Sequence, residues 1–247
     1  MNQKHLQTVL ESLKNNEISI IDVIEKLKGI SPTAFSQMDI DRQFRTGAPE
    51  CIYGETKTAE QITTSIEALR THNQPILVTR VQQSKADIVC QELTYIQYDP
   101  QGRCLWWTPK TDPKTTGAVA IICAGTSDLA VAKECEITLR TMHHQPAIYI
   151  DIGVAGLHRL LQQLENIRQH QVLIVIAGME GALPSVLSGL VKAPVIGVPT
   201  SVGYGSHLGG AVPMLSMLNS CASGISVVNI DNGYGAAIVA GRILETK

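Results

Sequence analysis

The chain has 247 residues, of which 44% are hydrophobic and 17% charged, and its formal net charge is −2. That length holds one large domain or two small ones, each able to bury a core. The near-neutral balance excludes the basic footprint of a nucleic-acid binder and the polybasic face of a membrane binder, so the expected partner is a small molecule.

The opening, Met1-Asn2-Gln3-Lys4-His5-Leu6, has none of the apolar run of a secretory signal. No stretch approaches the roughly 18 apolar residues of a spanning helix, and the expected location is cytoplasmic. Two amphipathic helical patterns follow, over residues 5–13 and 19–27, and Gly29 with Ser31-Pro32 stops the second. Residues 42–50 are basic and turn-rich, with Arg42, Arg45, Gly47 and Pro49. A helix is predicted over 58–70, a strand over 76–81 and a short helix over 86–93. Two more strands are predicted over 94–98 and 104–108, joined by the turn Asp99-Pro100-Gln101-Gly102. Residues 108–117 carry two prolines, two lysines and four threonines and nothing to bury, which reads as a linker. It divides the chain into a smaller α+β domain over 1–115 and a nucleotide-binding catalytic domain over 116–247.

In the second domain the pattern changes to strands that are apolar throughout, over 119–122, 147–152, 172–176, 195–198 and 225–230, alternating with helices. Such strands are buried on both faces, which predicts a parallel sheet in a three-layer α/β sandwich. Ligands of open sheets of this kind bind beyond the carboxyl ends of the strands. The loops expected there are residues 124–128, 153–156, 177–182, 199–210 and 231–235.

Those loops carry the candidate chemistry. Gly125-Thr126-Ser127, after a strand and before a helix, can set backbone N–H groups and hydroxyls around a phosphate, although a plain turn with Ser127 or Asp128 as helix cap uses the same residues. The spacing is neither that of a dinucleotide fingerprint nor that of a P-loop. Glu180 lies between Gly178 and Gly181, where a close backbone approach suits a ligand; its carboxylate could accept a proton, order a ribose or meet Mg²⁺, or be a solvated loop residue. Residues 200–206, with Ser201, Gly203 and Tyr204, read as a mobile or substrate-closing loop ending at His207, itself either substrate-facing or structural. Lys133, one helical turn past Asp128, points either to the same loop or to solvent. Asp231-Asn232-Gly233 adds polar groups to the rim. No serine occupies the centre of Gly203-Tyr204-Gly205-Ser206-His207, so a hydrolase elbow is discarded, and His143-His144 lacks a third metal ligand at suitable spacing.

Six cysteines, Cys51, Cys90, Cys104, Cys123, Cys135 and Cys221, show no C-x-x-C pair or zinc spacing and are expected to be free thiols. Five read as small buried apolar residues. Cys221 differs. It sits in Asn219-Ser220-Cys221-Ala222-Ser223-Gly224, between an apolar helical stretch over 208–218 and the strand over 225–230, where a substrate can approach a thiol among small residues. It is expected to share a rim with the loops that carry Ser127, Asp128, Glu180, His207 and Asp231.

Three segments, Ala124-Gly125-Thr126-Ser127-Asp128, residues 176–184 and residues 194–199, resemble in order the landmarks of the N5-carboxyaminoimidazole ribonucleotide mutase family. This resemblance spans roughly residues 117–245. It implies an octamer of flavodoxin-like subunits that moves a carboxylate on a nucleotide with an acid–base histidine. The sequence departs at that histidine: where the family has Ala-His-Arg-Thr-Pro, this chain has Gly153-Val154-Ala155-Gly156-Leu157.

Arg42, Arg45, Thr46, Gly47, Pro49, Glu50 and Lys57 in the front half, with Cys221 in the back half, resemble instead the carboxylases of nickel-pincer nucleotide synthesis, the pyridinium-3,5-biscarboxylic acid mononucleotide synthases, whose pathway activates lactate racemase. This second resemblance covers nearly the whole chain. It implies carboxylation of the pyridinium ring of nicotinic acid adenine dinucleotide by CO₂ or bicarbonate, with hydrolysis of the phosphoanhydride to release AMP. Cys221 is then the covalent nucleophile, and Glu180, followed by Asp128, is the candidate base. Gly125, Thr126, Ser127, Lys133, Gly178, Gly181, Ser201, Gly203, Tyr204, His207, Asp231 and Asn232 are expected to bind substrate, with Arg45 and Lys57 adding positive charge from the front domain. Mg²⁺ is expected mostly on substrate oxygens, so no protein ligand is assigned. The expected assembly is a homo-octamer, with no nucleic-acid or membrane partner. The runner-up reading is a mutase or carboxylase acting on an aminoimidazole ribonucleotide by acid–base chemistry alone; a third is a non-catalytic nucleotide-binding module.

Overall fold

A computed structural model describes residues 3–246. Met1 and Asn2, the first residues of the opening segment read above for a signal, lie outside the described residues, as does Lys247. The chain forms two compact units, one up to Tyr98 together with Leu105–Lys110, the other Asp99–Cys104 with the chain from Thr111 onward.

The first unit contains α1 (Gln3–Lys14), α2 (Ile20–Lys28), the strand pair β1 (Ile30–Pro32) and β2 (Gln37–Asp39), and the short helix α3 (Arg42–Thr46). After these come β3 (Ile52–Tyr53), α4 (Ala59–Thr71), β4 (Ile76–Thr79), α5 (Gln83–Glu92), β5 (Gln97–Asp99) and β6 (Cys104–Trp107). Four strands make a mixed sheet in the order β3-β4-β6-β5. α4 begins where the Thr58 hydroxyl accepts from Gln61 N–H and the Gln61 side chain returns to the Thr58 N–H, a reciprocal cap that ties two otherwise orphaned donors. Its Ile62, Ile66 and Leu69 recur at helical spacing and bury against Val78 and Leu105 of the sheet.

One expectation for this unit holds and one is corrected. α2 ends at Lys28, so Gly29 stops the helix as expected, and residues 30–39 then form a hairpin, with the Ser36 N–H donating to the Thr33 hydroxyl at 2.9 Å across the turn. Residues 42–50 read as turn, yet α3 makes a single short helix that ends at Gly47, whose φ of 76° needs no Cβ penalty.

The second unit runs β7 (Thr115–Cys123), α6 (Leu129–Thr141), β8 (His144–Tyr149), α7 (Leu157–Ile167), β9 (Val172–Ala177) and α8 (Leu183–Ser188). It continues with β10 (Val195–Pro199), α9 (Ala211–Leu218), β11 (Ile225–Val227) and α10 (Gly233–Glu245). The sheet is parallel throughout, in the order β8-β7-β9-β10-β11, which is the flavodoxin-like order 2-1-3-4-5 within this unit. Alternate side chains serve two cores. Val119, Ile121, Ile174, Ile176, Ile196 and Val198 pack under α6 and α10, while Ala120, Ile122, Leu173, Val175 and Val195 pack against α7, α8 and α9. The sheet is therefore the middle of three layers, as the apolar runs predict.

The edges differ from expectation. β8 lies three residues earlier than the predicted 147–152 and is only partly buried, because an edge strand has a neighbour on one side only; β11 stops at Val227, short of residue 230. β7 already begins at Thr115, so the last three residues of the segment read as linker belong to a strand. Of the five cysteines expected in the core, Cys104, Cys123 and Cys135 are buried and Cys51 and Cys90 half-buried; none of the six is in a disulfide. Burial pushes the Cys123 thiol up to about 12 and raises that of Cys135 as well. Among the described residues no helix is long and apolar enough to cross a membrane.

Candidate active site

The carboxyl ends of β7, β8, β9 and β10 open into one cleft. Its volume of about 240 Å³ is close to the small end of ligand clefts, which run about 300–1,000 Å³. β7 delivers Gly125, Ser127 and Asp128; the turn after β8 delivers Gly153, Val154 and Ala155; the turn after β9 delivers Gly178, Met179 and Glu180; Val202 follows β10. Arg159, from the first turns of α7, reaches the same wall.

Asp128 is the buried member of this set. Its Oδ2 accepts the Gly125 N–H at 3.0 Å, and its Oδ1 accepts the Thr200 hydroxyl at 2.9 Å, so the carboxyl ties the β7 loop to the end of β10. Burial raises its pKa, the two hydrogen bonds pull it back in part, and the nearby Asp231 charge pushes it up further. A native carboxyl that keeps its proton to higher pH than the unfolded one contributes stability fully below the ordinary value of 3.8 and loses it as pH rises through the raised value. Thermal melts across that interval should show this descent in the wild type and a shallower one in Asp128→Asn, where the Glu50 carboxyl, also raised by burial, still contributes. A parallel descent in the variant would assign the effect to another group.

Glu180 and Ser127 are exposed. The glycines around Glu180 have a packing cause: a Cβ on Gly178 would stand 2.2 Å from Val202 O, and Gly181, at φ 66°, would meet Pro213 Cα at 2.9 Å. They are required by the backbone itself, whether or not a ligand approaches.

Several expected binding residues are otherwise engaged. Lys133 Nζ bonds Glu136 Oε2 at 2.8 Å, one turn further along α6, and so points neither to the Asp128 loop nor freely to solvent. Asn232 Oδ1 accepts the Gly235 N–H at 2.7 Å and caps α10, while Asp231 Oδ1 accepts the Ser201 N–H at 2.8 Å and joins two loops. His207 is buried, with Nδ1 accepting the Gly210 N–H at 3.2 Å; its proton is then on Nε2, which has no partner under Gly203. Thr126, Gly181, Gly203 and the 80% exposed Tyr204 do not line the cleft. Arg45 pairs with Asp39 within the first unit, to which Lys57 also belongs.

Cys221 is exposed, as expected, but it does not share the rim. The loop between α9 and β11 leads into the amino end of β11, where Val195 N–H bonds Gly224 O at 3.1 Å. The cleft lies at the carboxyl ends. The five residues of β10, about 16 Å at ~3.3 Å per residue, separate the two levels of the sheet. The thiol's loop is held by the Ser185–Ser220 hydroxyl pair at 2.7 Å and by Ser188 Oγ to Ser223 O at 2.6 Å, both from α8. Two residues flanking it on α9, Leu215 and Leu218, are exposed.

Arg159 was missed by sequence reasoning. On paper it is a polar position on an amphipathic helix, and only the sheet order shows that its side of α7 borders the cleft. Among the described residues no group of three or more His, Cys, Asp and Glu side chains could hold a metal. Of the two carboxylates lining the cleft, Asp128 already has both oxygens engaged. The residues present therefore do not fit a protein-held Mg²⁺.

Comparison with known proteins follows this architecture. The LarB/PurE-like N-terminal domain matches residues 30–109, and AIR carboxylase matches residues 118–247. Uncharacterized protein MJ0165 of Methanocaldococcus jannaschii is 39% identical over 98% of both chains. The N5-carboxyaminoimidazole ribonucleotide mutase of the same organism is 34% identical over 52% of this chain and 80% of its own length. The crystal structure of Treponema denticola PurE is 26% identical, with a TM-score of 0.45, over 54% of this chain and 82% of that one.

Proposed function

The chain belongs to the AIR carboxylase family, with a LarB/PurE-like N-terminal domain before it, and from that premise of a carboxylase- or mutase-type enzyme we propose a specific reaction. It carboxylates the pyridinium ring of nicotinic acid adenine dinucleotide and hydrolyses the phosphoanhydride, giving pyridinium-3,5-biscarboxylic acid mononucleotide and AMP. The observation that carries this reading is that, among the described residues, no histidine lines the cleft, while an exposed carboxylate, a hydroxyl and an arginine do. A mutase working by an acid–base histidine lacks its central group here.

A pyridinium ring is too electron-poor to attack CO₂. In the proposed cycle the Cys221 thiolate forms an S–C bond to a ring carbon beside the nitrogen, giving a neutral dihydropyridine whose next carbon is nucleophilic. That carbon forms the C–C bond to CO₂, its proton passes to Glu180, and the C–S bond breaks to restore the aromatic ring and the thiolate. In the hydrolysis, water adds to one phosphorus and the bridging P–O bond breaks. Mg²⁺ would be held by the substrate's own phosphate oxygens and would supply charge neutralisation there; no step assigned to a residue here depends on it.

Within one chain the thiol and the cleft stand at different ends of the sheet. The cycle accordingly uses the Cys221 of a neighbouring copy in a homo-octamer, brought to the cleft with the exposed Leu215 and Leu218 beside it. The identity to the M. jannaschii mutase favours a second reading, carboxylate transfer on an aminoimidazole ribonucleotide. Incubation with each nucleotide and ¹³C-bicarbonate separates the two: the proposal predicts label in the pyridinium product with AMP released, and conversion of the aminoimidazole nucleotide alone, with label for a carboxylase or without it for a mutase, would establish the alternative.

A further inference from the structure

The first unit has a cavity of its own. It measures about 290 Å³ and lies between two walls, the turn after β2 with the start of α3 on one side and the carboxyl end of α4 on the other. The first wall presents Ile40, Asp41 and Phe44; the second presents His72, Asn73 and Gln74. No step of the reaction proposed above uses them.

Phe44 is one of two phenylalanines in the chain and is 44% exposed, on a five-residue helix with no buried residue. It lies outside the core of this unit and leaves a flat apolar ring on the cavity wall, the kind of surface on which a heterocyclic base stacks. Opposite it, the N–H groups of His72, Asn73 and Gln74 return to Leu69 O, Arg70 O and Leu69 O at 3.2, 2.9 and 3.1 Å. Asn73 makes that turn in the left-handed region at φ 51°, which asparagine tolerates better than most side chains. The backbone donors are thus consumed within the turn, and the Thr71 hydroxyl is consumed by Glu67 O at 2.9 Å. The carboxamides of Asn73 and Gln74 are not, since among the described residues neither makes a hydrogen bond. Each offers a donor beside an acceptor, which matches a ligand edge carrying the complementary pair.

The charge of the cavity narrows the ligand further. Among the described lining residues there is no Lys or Arg, while Asp41 supplies a carboxylate and the 13-residue α4 turns the negative end of its dipole to the same space. A Cβ on Gly29 would stand 2.9 Å from Asp41 Cβ, so the glycine is what allows Asp41 this position. Phosphate is disfavoured here, and a flat ring with hydrogen-bond donors is favoured.

We propose that this cavity binds the 6-aminopurine base of an adenosine-type ligand, with the ring on Phe44, the amino group and the neighbouring ring nitrogen on the carboxamides of Asn73 and Gln74, and any phosphate outside. Asparagine and glutamine read adenine in this way, donating to N7 and accepting from the N6 amino group. The volume suits one base with part of its sugar, because clefts for larger ligands run from about 300 Å³ upward. Free adenosine, AMP and an adenine dinucleotide share the base and differ in the charge attached to it. All the lining residues belong to the first unit and none lines the cleft of the second, so this site does not depend on the pyridinium reaction.

The test is calorimetric titration of the full-length wild type, Phe44→Ala and Gln74→Ala with adenosine, inosine and AMP. The wild type should bind adenosine about 10-fold or more tighter than inosine, whose 6-oxo group puts an acceptor where adenine has a donor. Phe44→Ala should weaken adenosine by about 10-fold, the scale of a lost stacking platform, and its exposure leaves the fold intact. Gln74→Ala should narrow the margin between adenosine and inosine. AMP should gain nothing over adenosine in the part of its affinity that Phe44→Ala removes. Adenosine bound by Phe44→Ala as tightly as by wild type would overturn the proposal, as would equal wild-type affinities for adenosine and inosine or no binding of adenosine at all. A Phe44-dependent affinity for AMP 10-fold above that for adenosine would overturn the placement of phosphate outside the cavity.

Discussion

Cys221→Ser chains will fold and assemble like the wild type yet release no carboxylated product. A serine hydroxyl is almost wholly protonated at neutral pH, whereas a thiol is partly ionised and intrinsically nucleophilic, so the first covalent step fails. The residue is exposed, which removes any packing reason for a folding defect. Product formation within a few-fold of wild type would end the covalent mechanism. A companion measurement addresses where the thiol acts: co-assembled Cys221→Ser and Glu180→Gln chains, each impaired alone, should regain activity, because some clefts then combine an intact carboxylate with an intact thiol from another copy. Failure of the mixture to gain activity, with mixed assembly verified, would place thiol and carboxylate in service of the same chain.

Glu180→Gln will lower turnover by roughly 100-fold or more, the usual scale of general-base catalysis, with single-turnover carboxylation as the measurement. Glu180 is exposed at the mouth of the cleft, where its side chain can meet a ring proton. Asp128 is less suited, because it is buried and both of its oxygens already accept hydrogen bonds. Unchanged turnover in Glu180→Gln would nevertheless move the role to Asp128.

The central strands were legible because their code is simple. Runs such as Val119-Ala120-Ile121-Ile122 and Val172-Leu173-Ile174-Val175-Ile176 have no polar face, and only a strand covered on both sides fits them. The edges were not. β8 begins His144-Gln145-Pro146, which breaks the apolar pattern, and its pairing with β7 is set by the sheet rather than by local preference. The loops at the carboxyl ends, and with them Gly125, Ser127, Asp128, Gly178 and Glu180, came from counting strands.

The same counting, applied strictly, removes Cys221 from that rim. A residue between a helix and the following strand lies at the amino end of a parallel sheet, whatever small residues surround it. Its junction position suggested access, and access is what the structure shows; neighbourhood depends on topology. Arg159 failed in the opposite way. Nothing local marks it, since its contact with the cleft depends on the helix phase of α7 and on the absent side chain at Gly156. Asp231, Asn232 and Lys133 are polar residues whose hydrogen bonds lie within the fold, a use that composition does not distinguish from ligand binding.

The covalent step is tested most directly by the intact mass of the protein after incubation with nicotinic acid adenine dinucleotide in the absence of bicarbonate. Without CO₂ the cycle stops at the thiol adduct. The account predicts a population heavier by one dinucleotide, mapped by fragmentation to Cys221 and absent from Cys221→Ser. A wild-type protein that turns over the dinucleotide when bicarbonate is added, yet carries no adduct before its addition, would contradict it.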